Sequence, residues 1–346
     1  MYVGAEVFAP AYRYLRFLGF NNFTYHAGED FIHLLSGIRA VYEAVYFLDL
    51  DRGDRIGHAT ALGIDAGLWL KRIRAAGNKI VIEQGEWLDN LVFLYHMATE
   101  FNIDLNLNLL KDEIIKMFRN IYFSNKNING RNSRYIQRLS NFEIYDIIDA
   151  WKYRKIDPIL SFDIYYGNDK DINAIMSDNF SFEKFKSKEI KNIIDLKKTN
   201  HRAFDLFHEY HSVEVILQSK KLMEIDLSKS RPLFLSNAEL FSELQRKVIK
   251  YMNGKVVAVE SKPTSNVRIS LYDDYSEHHI FRWLEVNSSA PIVCLGSDDP
   301  GIFAINIRNE FSHIFLELLN KNKTRKEAMD IIKHIADNNR IFIFRK

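Results

Sequence analysis

Short apolar runs near the start of the chain alternate with longer stretches in which apolar positions recur every three or four residues. Residues 2–8, YVGAEVF, read as a strand; Pro10 then sets up a helix through AYRYLRFL that Gly19 can end, because glycine tolerates a left-handed cap. NFTYH reads as a second strand. The next helix carries Phe31, Leu34, Leu35, Ile38, Val41, Tyr42 and Val45 on one stripe. DRIGH is a short strand, and DAGLWLKRIRAAG another helix, with Asp65 as its cap and Gly77 as its stop. Strand, helix, strand, helix is the rhythm of parallel α/β construction.

From about residue 84 to 235 the pattern turns mostly helical, with Asn- and Lys-rich connections such as NKNINGRNSR, and reads as a helical insertion between segments 1–83 and 236–346. The rhythm returns at SNAELFSELQRKVIKYMNGK, where Ser236 and Glu239 have the spacing of a capping box. Leu240, Leu244, Val248 and Tyr251 give that helix its buried face, and Gly254 closes it. Strands KVVAVE and PIVCLGSDD follow, then a helix from about 302 to 320 with Phe311, Ile314, Phe315 and Leu318 inward. KIVIE, residues 79–83, competes with KVVAVE for the same strand position, and the PTSN that follows assigns it to KVVAVE. There is no internal repeat and no heptad pattern.

Composition narrows the function classes. Over 346 residues, 47% hydrophobic and 27% charged content is that of a soluble globular protein, and a formal charge of +2 implies no general pull toward nucleic acid or membrane. No run is long enough to span a bilayer, and MYVGAEVFAP lacks the features of a secretory signal. One cysteine, Cys294, excludes an internal disulfide and a thiolate metal cluster; it reads as small filler in the strand IVCLG. A cytoplasmic enzyme or assembly protein is expected. His208 and His211 in HEYH read as a solvated helix face, His278 and His279 as loop surface, and the basic stretch 183–202 as a solvated helix or loop.

Four short stretches end strands: YHAGED with His26 and Glu29, RIGHA with His58, VESKPTSN from Val259 to Asn266, and GSDDP with Asp298 and Asp299. In parallel barrels, active sites gather at the C-terminal strand ends. Histidine nitrogen and aspartate oxygen suit a catalytic zinc that keeps one position open for water, and zinc makes hydroxide available near neutral pH. Glu29 is placed to supply a proton. Residues three apart on a regular strand point oppositely, so Gly28 is needed to turn the chain and bring Glu29 over the same site. Asp298 would ligate the metal and Asp299 would hydrogen-bond the substrate.

HAGE, RIGHA, PTSN and SDDP, in this order, resemble the adenosine and AMP deaminase family of metal-dependent (β/α)₈ hydrolases, over roughly residues 2–82 and 236–320. The resemblance implies hydrolytic deamination of adenosine or an adenine nucleotide, with zinc hydroxide attacking C6. It makes His26 and Asp298 zinc ligands and Glu29 the proton donor to purine N1. His58 would orient the hydroxide, Asp299 would contact N7, and Gly28 would lie beside the substrate. The long insertion, with GAEVFAPAYRYLRFLG upstream, looks like the large bacterial deaminases of the RADAR anti-phage systems, multimeric shells acting on adenine nucleotides.

Two departures stand against the family pattern. Ala59 follows His58 where a glycine is usual, and the family's H-x-H pair of zinc ligands has no counterpart, since no two histidines here stand two apart. YVGAEVF resembles the family's fourth strand, so the expectation is the C-terminal part, about five strands, of a TIM-type barrel. Such a part exposes two strand edges. A longer parent chain completes it, or a second copy does, or the chain is a degenerate relative without the metal.

Overall fold

The structure, a computed structural model, describes residues 4–123, 142–166, 181–228, 236–269, 272–285 and 290–344. The connection NKNINGRNSR lies outside the described residues. Six strands are present among them: β1 (Thr24–Ala27), β2 (Arg55–His58), β3 (Lys79–Glu83), β4 (Leu222–Asp226), β5 (Ala258–Ser261) and β6 (Ile292–Leu295). The chain divides into two units, one built from Asn21–Ile80 and Asp226–Lys346, the other from Val3–Phe20 and Val81–Ile225.

The first unit holds a four-stranded sheet in the order β1-β2-β5-β6, with every adjacent pair parallel. Helix Leu34–Phe47 lies between β1 and β2, Ala66–Ala75 and Ala238–Lys255 lie between β2 and β5, Pro263–Ile269 and Ile280–Glu285 lie between β5 and β6, and Ile307–Asn320 follows the last strand. Parallel neighbours need such crossovers, and their apolar faces make the core. Leu34, Leu35, Ile38, Val41 and Val45 are all fully buried, as their spacing predicts. Asp65 caps Ala66–Ala75 by accepting from the Leu68 amide. β5, not β3, pairs with β2; β3 and β4 form a separate two-stranded sheet.

Several local expectations are corrected. The segment read as a first strand holds a 3-10 turn at Ala5–Val7, closed by bonds from the Val7 and Phe8 amides to Gly4 and Ala5 oxygens. A strand pattern becomes a strand only with a partner edge, and Val7 lies 64% exposed with no ladder to join among the described residues. The parallel sheet therefore has four strands among the described residues, not five. Asn237 rather than Ser236 caps the next helix, its side chain accepting from both the Glu239 and Leu240 amides. That helix runs past Gly254 to Lys255, and Val256 takes the left-handed turn at φ 57°. The helix expected over 302–320 is two, Pro300–Phe303 and Ile307–Asn320, because Ala304 turns left-handed at φ 51° and Asn306 caps a new start.

The β6 edge is not bare. From the helix Arg325–Ile341, Asn339 accepts from the Leu295 amide and donates to the Leu295 carbonyl, both at 2.8 Å, while Asn338 donates to the Val293 carbonyl at 3.0 Å. Side-chain amides thus stand in for a neighbouring strand.

The second unit is helical apart from its share of β3 and β4. Ile164, Ile190, Ile193, Phe204 and Phe207 form one of its buried clusters, so the basic helix Ser181–Thr199 turns an isoleucine face inward. Arg154 is held by Asp89 through two bonds of 2.6 and 2.7 Å. His208 is buried and His211 half-buried, ringed by Phe162, Tyr165, Phe204 and Phe207. Aromatic packing, not water, surrounds them, which overturns the solvated-face reading. No described helix is long and apolar enough to cross a membrane.

Candidate active site

The C-terminal ends of all four parallel strands carry the site. His26 pairs with Gly57 across β1 and β2, and its ring lies so close that a Cβ on Gly57 would clash with His26 Cδ2. At Gly28 the backbone turns with φ 75°, and a Cβ there would strike Val41 Cγ2 at 2.6 Å; a glycine is required on both counts. That turn brings Glu29 back over the strand end, with Oε2 3.0 Å from His58 Nε2 and Oε1 3.9 Å from His26 Nδ1. His58 and Ala59 both have left-handed backbone, φ 63° and 47°, a strained pair that aims the imidazole off the end of β2. Asp298, beyond β6, places Oδ2 3.9 Å from His58 Nε2.

Lys262, immediately after β5 and only 6% exposed, sits among these groups. Its Nζ is 3.2 Å from His26 Nε2 and 3.4 Å from Asp298 Oδ1. Of the residues expected at the site, His26, Glu29, His58 and Asp298 therefore come together, with Gly28 at the turn. Asp299 is exposed and acts locally: its carboxylate caps Pro300–Phe303 by accepting from the Gly301 and Ile302 amides.

A hydrogen-bond chain sets the imidazole tautomers. The Ile280 amide donates to His278 Nδ1 at 3.1 Å, so His278 carries its proton on Nε2 and donates to Asn266 Oδ1 at 3.2 Å. Asn266 Nδ2 then donates to His58 Nδ1 at 2.8 Å. His58 consequently carries its proton on Nε2 and donates to Glu29. An ammonium can only donate, so His26 Nε2 accepts from Lys262 and the His26 proton lies on Nδ1, toward Glu29.

Charge follows the same pattern. Burial, then the Lys262 ammonium and any proton gained by the neighbouring His58, push the His26 pKa down, against the pull of Glu29 and Glu260. Burial raises the Glu29 carboxyl, but the His58 hydrogen bond and the nearby cationic groups outweigh it and hold it below its ordinary range. For Asp298, burial is likewise outweighed by the Ser265 hydroxyl and Lys262. One layer back, Glu310 is pushed up to about 7 by burial, against the opposing bonds from Thr264, whose amide and hydroxyl its carboxylate accepts at 3.1 and 3.3 Å. His278 is fully buried, its pKa lowered to about 3 by burial, and His279 is also buried, donating to or accepting from Tyr272 at 2.8 Å. Neither is loop surface, and His278 belongs to the support of His58. Its role and that of Lys262 were missed in the sequence; the only signal was a lysine directly ahead of PTSN.

His26, Glu29 and His58 offer ligand-type atoms within 4.8 Å of one another, a spacing a metal ion can use. As hydrogen-bonded here, though, they do not fit a divalent ion. The inward nitrogen of His58 bears a proton, its other nitrogen is engaged by Asn266, and the lone pair of His26 is directed at an ammonium.

No family model matches this chain. It is similar to an adenosine deaminase of Shewanella loihica, 32% identical over 72 residues, which covers 21% of this chain and 21% of that protein. The chain thus spans about a fifth of the length of that curated relative.

Proposed function

We propose that the strand-end cluster is a deaminase-type hydrolytic site acting on the adenine ring of adenosine or an adenine nucleotide. One observation carries the reading: Glu29, His58, His26 and Asp298, from three separate motifs, converge at strand ends of one parallel sheet in the first unit. The similarity to the Shewanella loihica deaminase supports it. In this reading water adds at C6 and ammonia leaves. Glu29, held as a carboxylate, takes a proton from the water and passes it to N1, while the Nε2–H of His58 keeps Glu29 and the attacking oxygen in line. Asp299 would reach N7 only on giving up its helix-capping bonds, and Gly28 would border the ring.

Zinc belongs to the finer form of this reading, with His26 and Asp298 as ligands, and the hydrogen bonding of His26 and His58 does not accommodate it. That same disagreement favours a second reading, a non-catalytic assembly subunit that keeps deaminase remnants and pairs with further copies or a longer parent chain. The multimeric anti-phage deaminases are the narrower form of the first reading. Ammonia release from adenosine, AMP and ATP by the purified protein decides between them. Turnover of any of the three is expected under the first reading, and none by a folded sample would favour the second.

A further inference from the structure

Resting on the reading that His26 and Asp298 mark the cation position of a deaminase-type site, we propose that the Lys262 ammonium is the resident cation of that position, in place of a divalent ion. A ring nitrogen has one lone pair, lying in the ring plane. Any electrophile that His26 Nε2 binds must share it, and Lys262 Nζ, 3.2 Å away, already engages it as a hydrogen-bond donor. A zinc ion on that lone pair would stand at about 2.0–2.1 Å, leaving it roughly an ångström from the ammonium. The two are mutually exclusive. The same ammonium pairs with Asp298 Oδ1 at 3.4 Å, so one charge ties both groups at once.

Burial makes this a built arrangement rather than a loose surface contact. Lys262 is 6% exposed, and a lysine so placed without carboxylate and imidazole partners would be costly. Its backbone position is set by β5 and by the helix Pro263–Ile269 that starts on the next residue, with the Thr264 amide held by Glu310. An independent feature agrees. In a closed barrel the last strand pairs with the first, which in the resembling family carries the H-x-H ligands. Here the hydrogen-bonding groups of β6 are taken by Asn338 and Asn339, so a strand docking there would have to displace them.

The test is zinc binding by the full chain after chelator treatment, followed by calorimetry and by metal content after dialysis, with the fold checked by circular dichroism. The wild-type protein is expected to bind zinc weakly and independently of His26. Lys262→Met, which keeps the length and removes the charge, should bind at least about tenfold more tightly, and His26→Ala added to it should abolish that gain. Should Lys262→Met fail to fold, zinc-induced change in the melting temperature of wild type against His26→Ala replaces it, and no His26-dependent rise is expected. Stoichiometric zinc in the wild-type protein that His26→Ala removes would overturn the proposal. Ammonia release in the same samples is a separate readout, so loss of the deaminase reading and loss of this one are told apart.

Discussion

His26 and His58 stand at strand ends among Glu29, Asp298 and Lys262, whereas His208 and His211 stand one helical turn apart among Phe162, Tyr165, Phe204 and Phe207. The first pair has a proton location assigned to each ring by a partner that can only donate. In the second pair, burial drives both pKa values down to about 4; His208 Nε2 meets the buried Ser161 hydroxyl at 3.1 Å, while its Nδ1 and His211 Nε2 have no hydrogen-bond partner among the described residues. In the sequence HEYH reads as a solvated helix face, and its burial comes from partners distant in the chain. Chemistry follows the surrounding charges, and neutral aromatic walls turn a histidine pair into core.

The largest expected effect separates the two regions by activity. Glu29→Gln should lower turnover about 10²–10⁴-fold, because the amide can neither take nor pass a proton. His208→Phe should leave turnover unchanged; comparable loss in both variants, measured as ammonia release, would erase the distinction. Next in size is Asn266→Asp. A carboxylate facing His58 Nδ1 would move the proton to that nitrogen and set a lone pair against Glu29, so kcat should fall about 10–100-fold with little change in KM. A fall confined to KM would show that the relay does not act on the chemistry.

A third comparison uses pH. His96, His208 and His211 are lowered to about 4 and His278 to about 3, in each case mainly by burial, against about 6.5 for an exposed histidine. Below pH 6.5 the unfolded chain takes up these protons before the folded one does, so stability is full above 6.5 and declines as pH falls toward 4. His208→Phe should reduce the stability lost between pH 7 and 5 by about 1–2 kcal/mol in denaturant titrations. An unchanged pH slope would mean that His208 is not buried neutral. The smallest effect belongs to Ala59. Its φ of 47° suits glycine, and Ala59→Gly should raise stability by up to about 1 kcal/mol in the same assay. A loss would place the methyl in a needed contact.

Local physics made part of this legible in advance. Gly28 as the hinge between His26 and Glu29, Asp65 as a cap and the buried stripe from Leu34 to Val45 depend on residues close in sequence, and all appear as read. The gathering of His26, Glu29, His58 and Asp298 was also readable, because each lies at or just past the end of a strand-like run. What could not be read depends on distant partners. Val7 lacks a neighbouring strand, His278 is drawn inward by Asn266, and the β6 edge is satisfied by Asn338 and Asn339 from the last described helix. Lys262 is the clearest case. A lysine beside a strand looks like solvent-facing charge until His26 and Asp298 arrive from two other strands.

Histidine-selective ¹⁵N NMR with addition of adenosine or ATP tests the central claim most directly. The proton of His58 should be found on Nε2, and ligand should shift the His26 and His58 signals while leaving His208 and His211 in place. A proton on Nδ1 of His58, with His26 and His58 unmoved at saturating ligand, would contradict the account.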